Sequence, residues 1–198
     1  ITLQIAALAA VFGFILGTVL ALCKISKLKA LIWLADFYTS IFRGTPLVLQ
    51  LMIIYFASPQ LFGFQIEGYW AAVLSFSLNS GAYISEIIRG GILAVDKGQK
   101  EAAMALGVPY TSMMANIILP QAYKNILPAL MNEFITLTKE SAIVTTIGVM
   151  DIMRRAYQVG GETFQYLEPL LFAGLIYYVL VMILTFIGKM VEKRLQHS

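Results

Sequence analysis

Five long apolar runs dominate the 198-residue chain, and they restrict its fold more than any other feature. They cover roughly residues 2–23, 31–57, 69–95, 117–137 and 167–191. Each is about the 20 residues that a helix needs to cross the hydrocarbon core of a bilayer. In lipid every backbone N–H and C=O must be paired internally, so such a run becomes a helix or one strand of a closed barrel. Barrel strands alternate in polarity with period two, and these runs do not. The expectation is an all-α integral membrane protein with about five transmembrane helices in one domain over residues 1–198. Composition agrees, since 13% of residues are charged, about half the share in soluble domains.

Several classes drop out on residue counts. One cysteine, Cys23, excludes a disulfide framework and a Cys-ligated metal site, and the lone His197 leaves no histidine centre for metal or catalysis. The net charge of +3 fits basic loops at an anionic membrane surface, without nucleic acid as a partner. The sequence shows no G-x-x-x-x-G-K-[ST] phosphate loop, so neither ATP nor its Mg is expected on this chain. It starts at Ile1 with no signal-peptide pattern, which suggests that residues precede it.

Loop charges set the expected orientation. Lys24, Lys27 and Lys29 follow the first run without an acid, whereas the second loop carries only Glu67. The third holds Lys97 and Lys100, flanked by Arg89 and Lys124, against Asp96 and Glu101; the tail holds Lys189, Lys193 and Arg194. The positive-inside rule places the first and third loops and the C-terminus in the cytoplasm, with the N-terminus outside.

Within that third loop, roughly residues 96–116, lies EAAMALGVPYTSMMANIILP at residues 101–120. It reads as a short surface helix with a small-residue face, Ala102, Ala103 and Ala105, turned by Gly107 and Pro109. Glu101 near a helix start suits the helix dipole. The spacing Glu-Ala-Ala, three residues, Gly, nine residues, Ile, one residue, Leu-Pro resembles the coupling motif of ABC importer permeases at every named position. FRGTPLVLQL at residues 42–51 resembles the second-span motif of the polar amino acid uptake permeases, the histidine, glutamine and arginine types. TLQIA, ILPQAYKNILPALMNEFI and YLEPLLF extend the likeness over nearly the whole chain.

The resemblance implies a type I importer permease fold with a cytoplasmic coupling helix (Glu101, Ala102, Ala103, Gly107, Pro109) in a bacterial cytoplasmic (inner) membrane. It implies a separate cytoplasmic ABC ATPase that binds ATP and Mg, and a second copy of the chain or a paralogous permease. An extracytoplasmic amino-acid-binding protein would deliver an amino acid substrate, basic side chains being favoured by the surplus of acids.

Polar residues inside the runs are the candidate pathway. Arg43, Gly44 and Pro46 interrupt the second run; Arg43 either snorkels to the interface or takes part in gating. Asn79, Ser80 and Tyr83 lie on adjoining turns of the third run. Glu86 and Arg89, three apart, either neutralise one another or meet substrate. Pro120 and Pro128 bend the fourth run, and Asn132 and Glu133 follow one turn later. Between the fourth and fifth runs the bases and acids are nearly balanced. There SAIVTTIG (141–148) reads as buried and re-entrant, residues 150–158 as a short helix. Asp151, Arg154 and Glu162 are either a solvated outer face or contacts for substrate; the resemblance puts Arg154 and Glu162 at the bottom of an outer vestibule. A passive channel or ion-coupled carrier would need no docking loop, and an intramembrane enzyme would need a constellation that is absent here.

Overall fold

Residues 1–196 are described by a computed structural model, and the apolar runs are helical in it. His197 lies outside the described residues. The helices are α1 (Thr2–Ile25), α2 (Lys29–Gly44), α3 (Leu47–Phe56), α4 (Ser58–Phe62), α5 (Gly68–Leu93), α6 (Lys97–Ala105), α7 (Tyr110–Met113), α8 (Leu119–Glu140), α9 (Ile152–Thr163) and α10 (Leu167–Gln196). A π-helical turn, Met114–Ile118, leads into α8, and a 3₁₀ segment, Ser141–Ile147, leads out of it.

α1 and α5 form the central seam, which small residues make possible. A Cβ added to Gly17 would sit 2.7 Å from Ile84 Cγ2, and one added to Gly13 would sit 3.1 Å from Ser80 Cβ. The sequence spacing GxxxG is therefore a true close approach of backbones. Ile5, Ala9, Leu51, Phe76, Leu137 and Val144 close the core around the half of this seam that holds the start of α1. Gly17→Val overpacks it, and a loss of about 1–3 kcal/mol is expected. Thermal unfolding of the detergent-solubilised protein measures that loss.

The second run is not one straight span. α2 and α3 meet at 99° across Thr45-Pro46, because Pro46 has no N–H to give to the carbonyl of Phe42 four residues back. The orphaned carbonyl accepts side-chain amides instead: Asn79 Nδ2 at 2.9 Å and Gln50 Nε2 at 2.9 Å. Gln50 also reaches Thr45 Oγ1 (2.8 Å), and its Oε1 accepts a second Asn79 hydrogen bond at 3.0 Å.

The fourth run is the least apolar of the expected five spans. α8 has 22 residues, long enough to cross, but exposes Gln121, Lys124, Asn125 and Asn132. Pro120 stands just after the π-helical turn, in a helix that runs on unbroken from it, and Pro128 lies in its interior; neither has an N–H to give to the preceding turn. Among the described residues three helices qualify alone by length and apolarity, α1, α5 and α10, and the broken α2–α3 pair makes a fourth. α8 is a helix of membrane length with a polar side. The 3₁₀ segment buries Ser141, Val144 and Ile147 against the core, as a re-entrant stretch must.

Candidate functional site

The loop between α5 and α8 folds into a knuckle. Its first element, α6, is capped by Asp96, whose Oδ1 accepts the Gly98 N–H at 2.7 Å. The dipole argument made for Glu101 therefore belongs to Asp96, since Glu101 lies one turn further in. α6 ends where Gly107 takes φ +71°, the left-handed region that glycine enters without a Cβ clash. The Val108 N–H then returns to the Ala103 carbonyl at 3.0 Å. Pro109 opens α7, and the Met113 N–H bonds its carbonyl at 2.9 Å. Ala103 is buried against Met113 and Ile118, which seats the knuckle. Glu101, Ala102 and Ala105 stay exposed, and Leu106 stands 81% exposed at the tip. Met104 and Tyr110 on the same knuckle are exposed as well, at 55% and 60%. Motif spacing alone did not single out Leu106.

Along the apolar runs, polar side chains separate into four groups. Asn79 is buried and engaged with the α2–α3 corner. Ser80 is fully buried and donates from Oγ to Glu133 Oε1 at 2.9 Å, joining α5 to α8. Arg43 lies over the Tyr83 ring, 5.3 Å from its centroid, at the α2 end where Gly44 is exposed. The fourth group gathers at the other end of α5. Glu86 accepts from Arg89 Nη2 at 2.7 Å and is also paired with Lys24. Lys24 was counted above as a loop charge; it is the last-turn residue of α1, its side chain only 3% exposed. What identifies it is register: Gly13, Gly17, Ala21 and Lys24 are buried along one helical face.

Beyond α8, Asp151 is 2% exposed and caps α9, its Oδ1 accepting the Arg154 N–H at 2.7 Å and its Oδ2 the Tyr177 hydroxyl at 3.0 Å. Arg154 and Glu162 are exposed on α9, where Glu162 accepts from Gln158 at 3.1 Å. Arg155 and Glu168, rather than Arg154 and Glu162, line a cavity of about 670 Å³ between α9 and α10. The structure thus brings Ser80 to Glu133, Arg43 to Tyr83 and Glu86 to Arg89. It holds Asp151, Arg154 and Glu162 apart from those groups. Among the intramembrane acids, Glu86 has two cationic partners, whereas Glu133 has a hydroxyl and no ion pair among the described residues.

A membrane-length helical bundle with a polar interior and a projecting knuckle on one surface is the architecture of a solute permease moved by an external subunit. The chain belongs to the family of binding-protein-dependent transport system inner membrane components, whose model matches residues 11–197. The arginine transport system permease protein ArtQ of Bacillus subtilis (strain 168) is 69% identical over 198 residues, covering 100% of this chain and 90% of ArtQ. The putative glutamine transport system permease protein GlnP of Rickettsia bellii (strain RML369-C) is 56% identical over 195 residues, 98% of this chain and 89% of GlnP. A crystal structure of an amino acid ABC transporter with histidines superposes with a TM-score of 0.93 at 43% identity, over 98% of this chain and 90% of that one. An inward-facing MetNI methionine ABC transporter shares the fold, with a TM-score of 0.79 at 22% identity, over 98% of this chain and 92% of that one. Membership makes the chain a multi-pass inner membrane permease that works with an ATPase and a binding protein.

Proposed function

We propose that this chain is the permease subunit of an ATP-driven importer of polar amino acids, with basic side chains preferred. The observation that carries it is the knuckle: α6, capped at Asp96 and turned at Gly107, offers Glu101, Ala102 and Leu106 outward while only Ala103 is buried. That surface suits docking into a groove of a cytoplasmic ATPase, which would bind ATP and Mg. The loop charges support a cytoplasmic knuckle and C-terminus and an external N-terminus. Glu101, Ala102, Ala103, Gly107 and Pro109 receive the motion of the closing ATPases, and the bundle rocks between outward and inward openings.

The exposed polar side of α8 is costly against lipid and suits a water-filled path shared with a second copy of the chain or a paralogous permease. Glu133 on that helix, with no cation of its own, is the acid best placed for a substrate ammonium or guanidinium. The likeness to ArtQ favours arginine. The likeness to GlnP favours a second reading, glutamine. An extracytoplasmic binding protein would supply either one.

Uptake into proteoliposomes holding the permease, its ATPase and its binding protein decides between them. Labelled arginine should enter only with ATP inside the cytoplasmic compartment. Excess lysine or histidine should compete, and glutamine and glutamate should not. Competition by glutamine alone would establish the second reading, and uptake without nucleotide would sink both.

A further inference from the structure

The charged cluster at the root of the knuckle is more than a neutralised helix pair. Lys24 Nζ donates to Thr39 Oγ1 at 2.8 Å, pairs with Asp36 Oδ1 at 3.1 Å and pairs with Glu86 Oε1. Those are three acceptors for three ammonium protons, a complete set. The other Glu86 oxygen holds Arg89 through Nη2 (2.7 Å) and Nε (3.1 Å). One buried cation therefore ties the C-terminal parts of α1 and α5 to the middle of α2, and the acids and bases in the cluster balance.

Its position is what gives it a use. Glu86 and Arg89 lie in the last two turns of α5, and residues 94–96 lead from there straight into α6. α6 itself packs chiefly on α7 and the π-helical turn. Between its inner face and the bundle lies a cleft of about 630 Å³, bordered by Lys24, Arg89, Val95, Lys97, Lys100 and Met104. α6 thus has two routes to the rest of the bundle: along the chain into the α5 end and the ions fixed to it, and through the π-helical turn into α8. The rest of the α1–α5 seam is held by close packing alone, and among the described residues Lys24–Glu86 is the one side-chain polar link between the two helices.

We propose that Lys24 is a positioning residue for energy coupling: it fastens the end of α1 and the middle of α2 to α5, so that displacement of α6 carries three helices instead of one. This rests on the reading that an ATPase drives α6. Lys24 touches neither nucleotide nor substrate, so its effect should appear in the ratio of solute moved to ATP hydrolysed.

The test uses the reconstituted complex, with uptake and hydrolysis measured on the same vesicles. Lys24→Met should leave binding-protein-stimulated hydrolysis within about twofold of the parent while transport per ATP falls about tenfold or more, the signature of a lost linkage and not of lost protein. A parent-like ratio in Lys24→Met, or uptake and hydrolysis falling in equal proportion, overturns the proposal. Removing a buried cation can prevent assembly. In that case Asp36→Asn combined with Thr39→Val decides, because Asp36 is 60% exposed and the pair leaves Lys24 its Glu86 partner. A severalfold fall in the ratio for that double variant supports the clamp, and an unchanged ratio overturns it. Failure of the parent complex to couple uptake to ATP would instead sink the underlying function.

Discussion

Glu133→Gln is expected to reduce uptake of arginine and lysine about a hundredfold or more while leaving the complex assembled. Among the described residues the carboxylate's one hydrogen-bond partner is Ser80 Oγ, at 2.9 Å, and an amide can accept that same hydrogen bond. The fold therefore loses little. A cationic substrate loses its counter-charge in a site of low dielectric, where stranding one ion costs about 3–5 kcal/mol, and each 1.4 kcal/mol or so is a factor of ten. Apparent affinity for a neutral amino acid should stay level or improve. Competition curves for arginine against glutamine, measured on the parent and the variant, give both numbers. Parallel loss for the two ligands would mean that Glu133 is a structural link between α5 and α8, and preference would then reside elsewhere.

Ala102→Trp is the second large effect, and its neighbour supplies the control. Ala102 is exposed on α6, whereas Ala103 is 3% exposed against Met113 and Ile118. A bulky ring at 102 leaves the seat intact and obstructs the docking groove. Interface centres of this kind are worth about 2–4 kcal/mol, so co-purification of the ATPase should fall by roughly 30-fold to 1,000-fold. Stability of the isolated permease should be unchanged. Ala103→Trp should do the reverse at first, loosening the knuckle itself. If Ala102→Trp retains full affinity for the ATPase, α6 is not the docking element.

Much of this was legible in the chain, for reasons that differ by residue. Run length announced α1, α5 and α10, because nothing else keeps such segments out of contact with water. Pro46 announced the break in the second run, and Gly107 the turn after α6, since both act through their own backbone. α8 was read by length although Gln121, Lys124 and Asn125 already declared its polar side. Other features were hidden because their cause is distant. Lys24 stands in CKISK beside Lys27, and only Asp36 and Glu86, brought in by two other helices, make it an interior ion. Asn79 looked free to meet a solute. The carbonyl that occupies it is orphaned by a proline on another helix, a debt visible only once the corner is built.

That corner has a dynamic consequence. An elbow latched by two side-chain amides, and not by a continuous peptide ladder, can flex at the expense of individual latches worth about 0.5–1.5 kcal/mol each. The limbs on either side need not unwind when it does. Amide exchange in this half of the molecule should accordingly be fastest at the joint and slow along both limbs, as in a stiff lever with one compliant pivot.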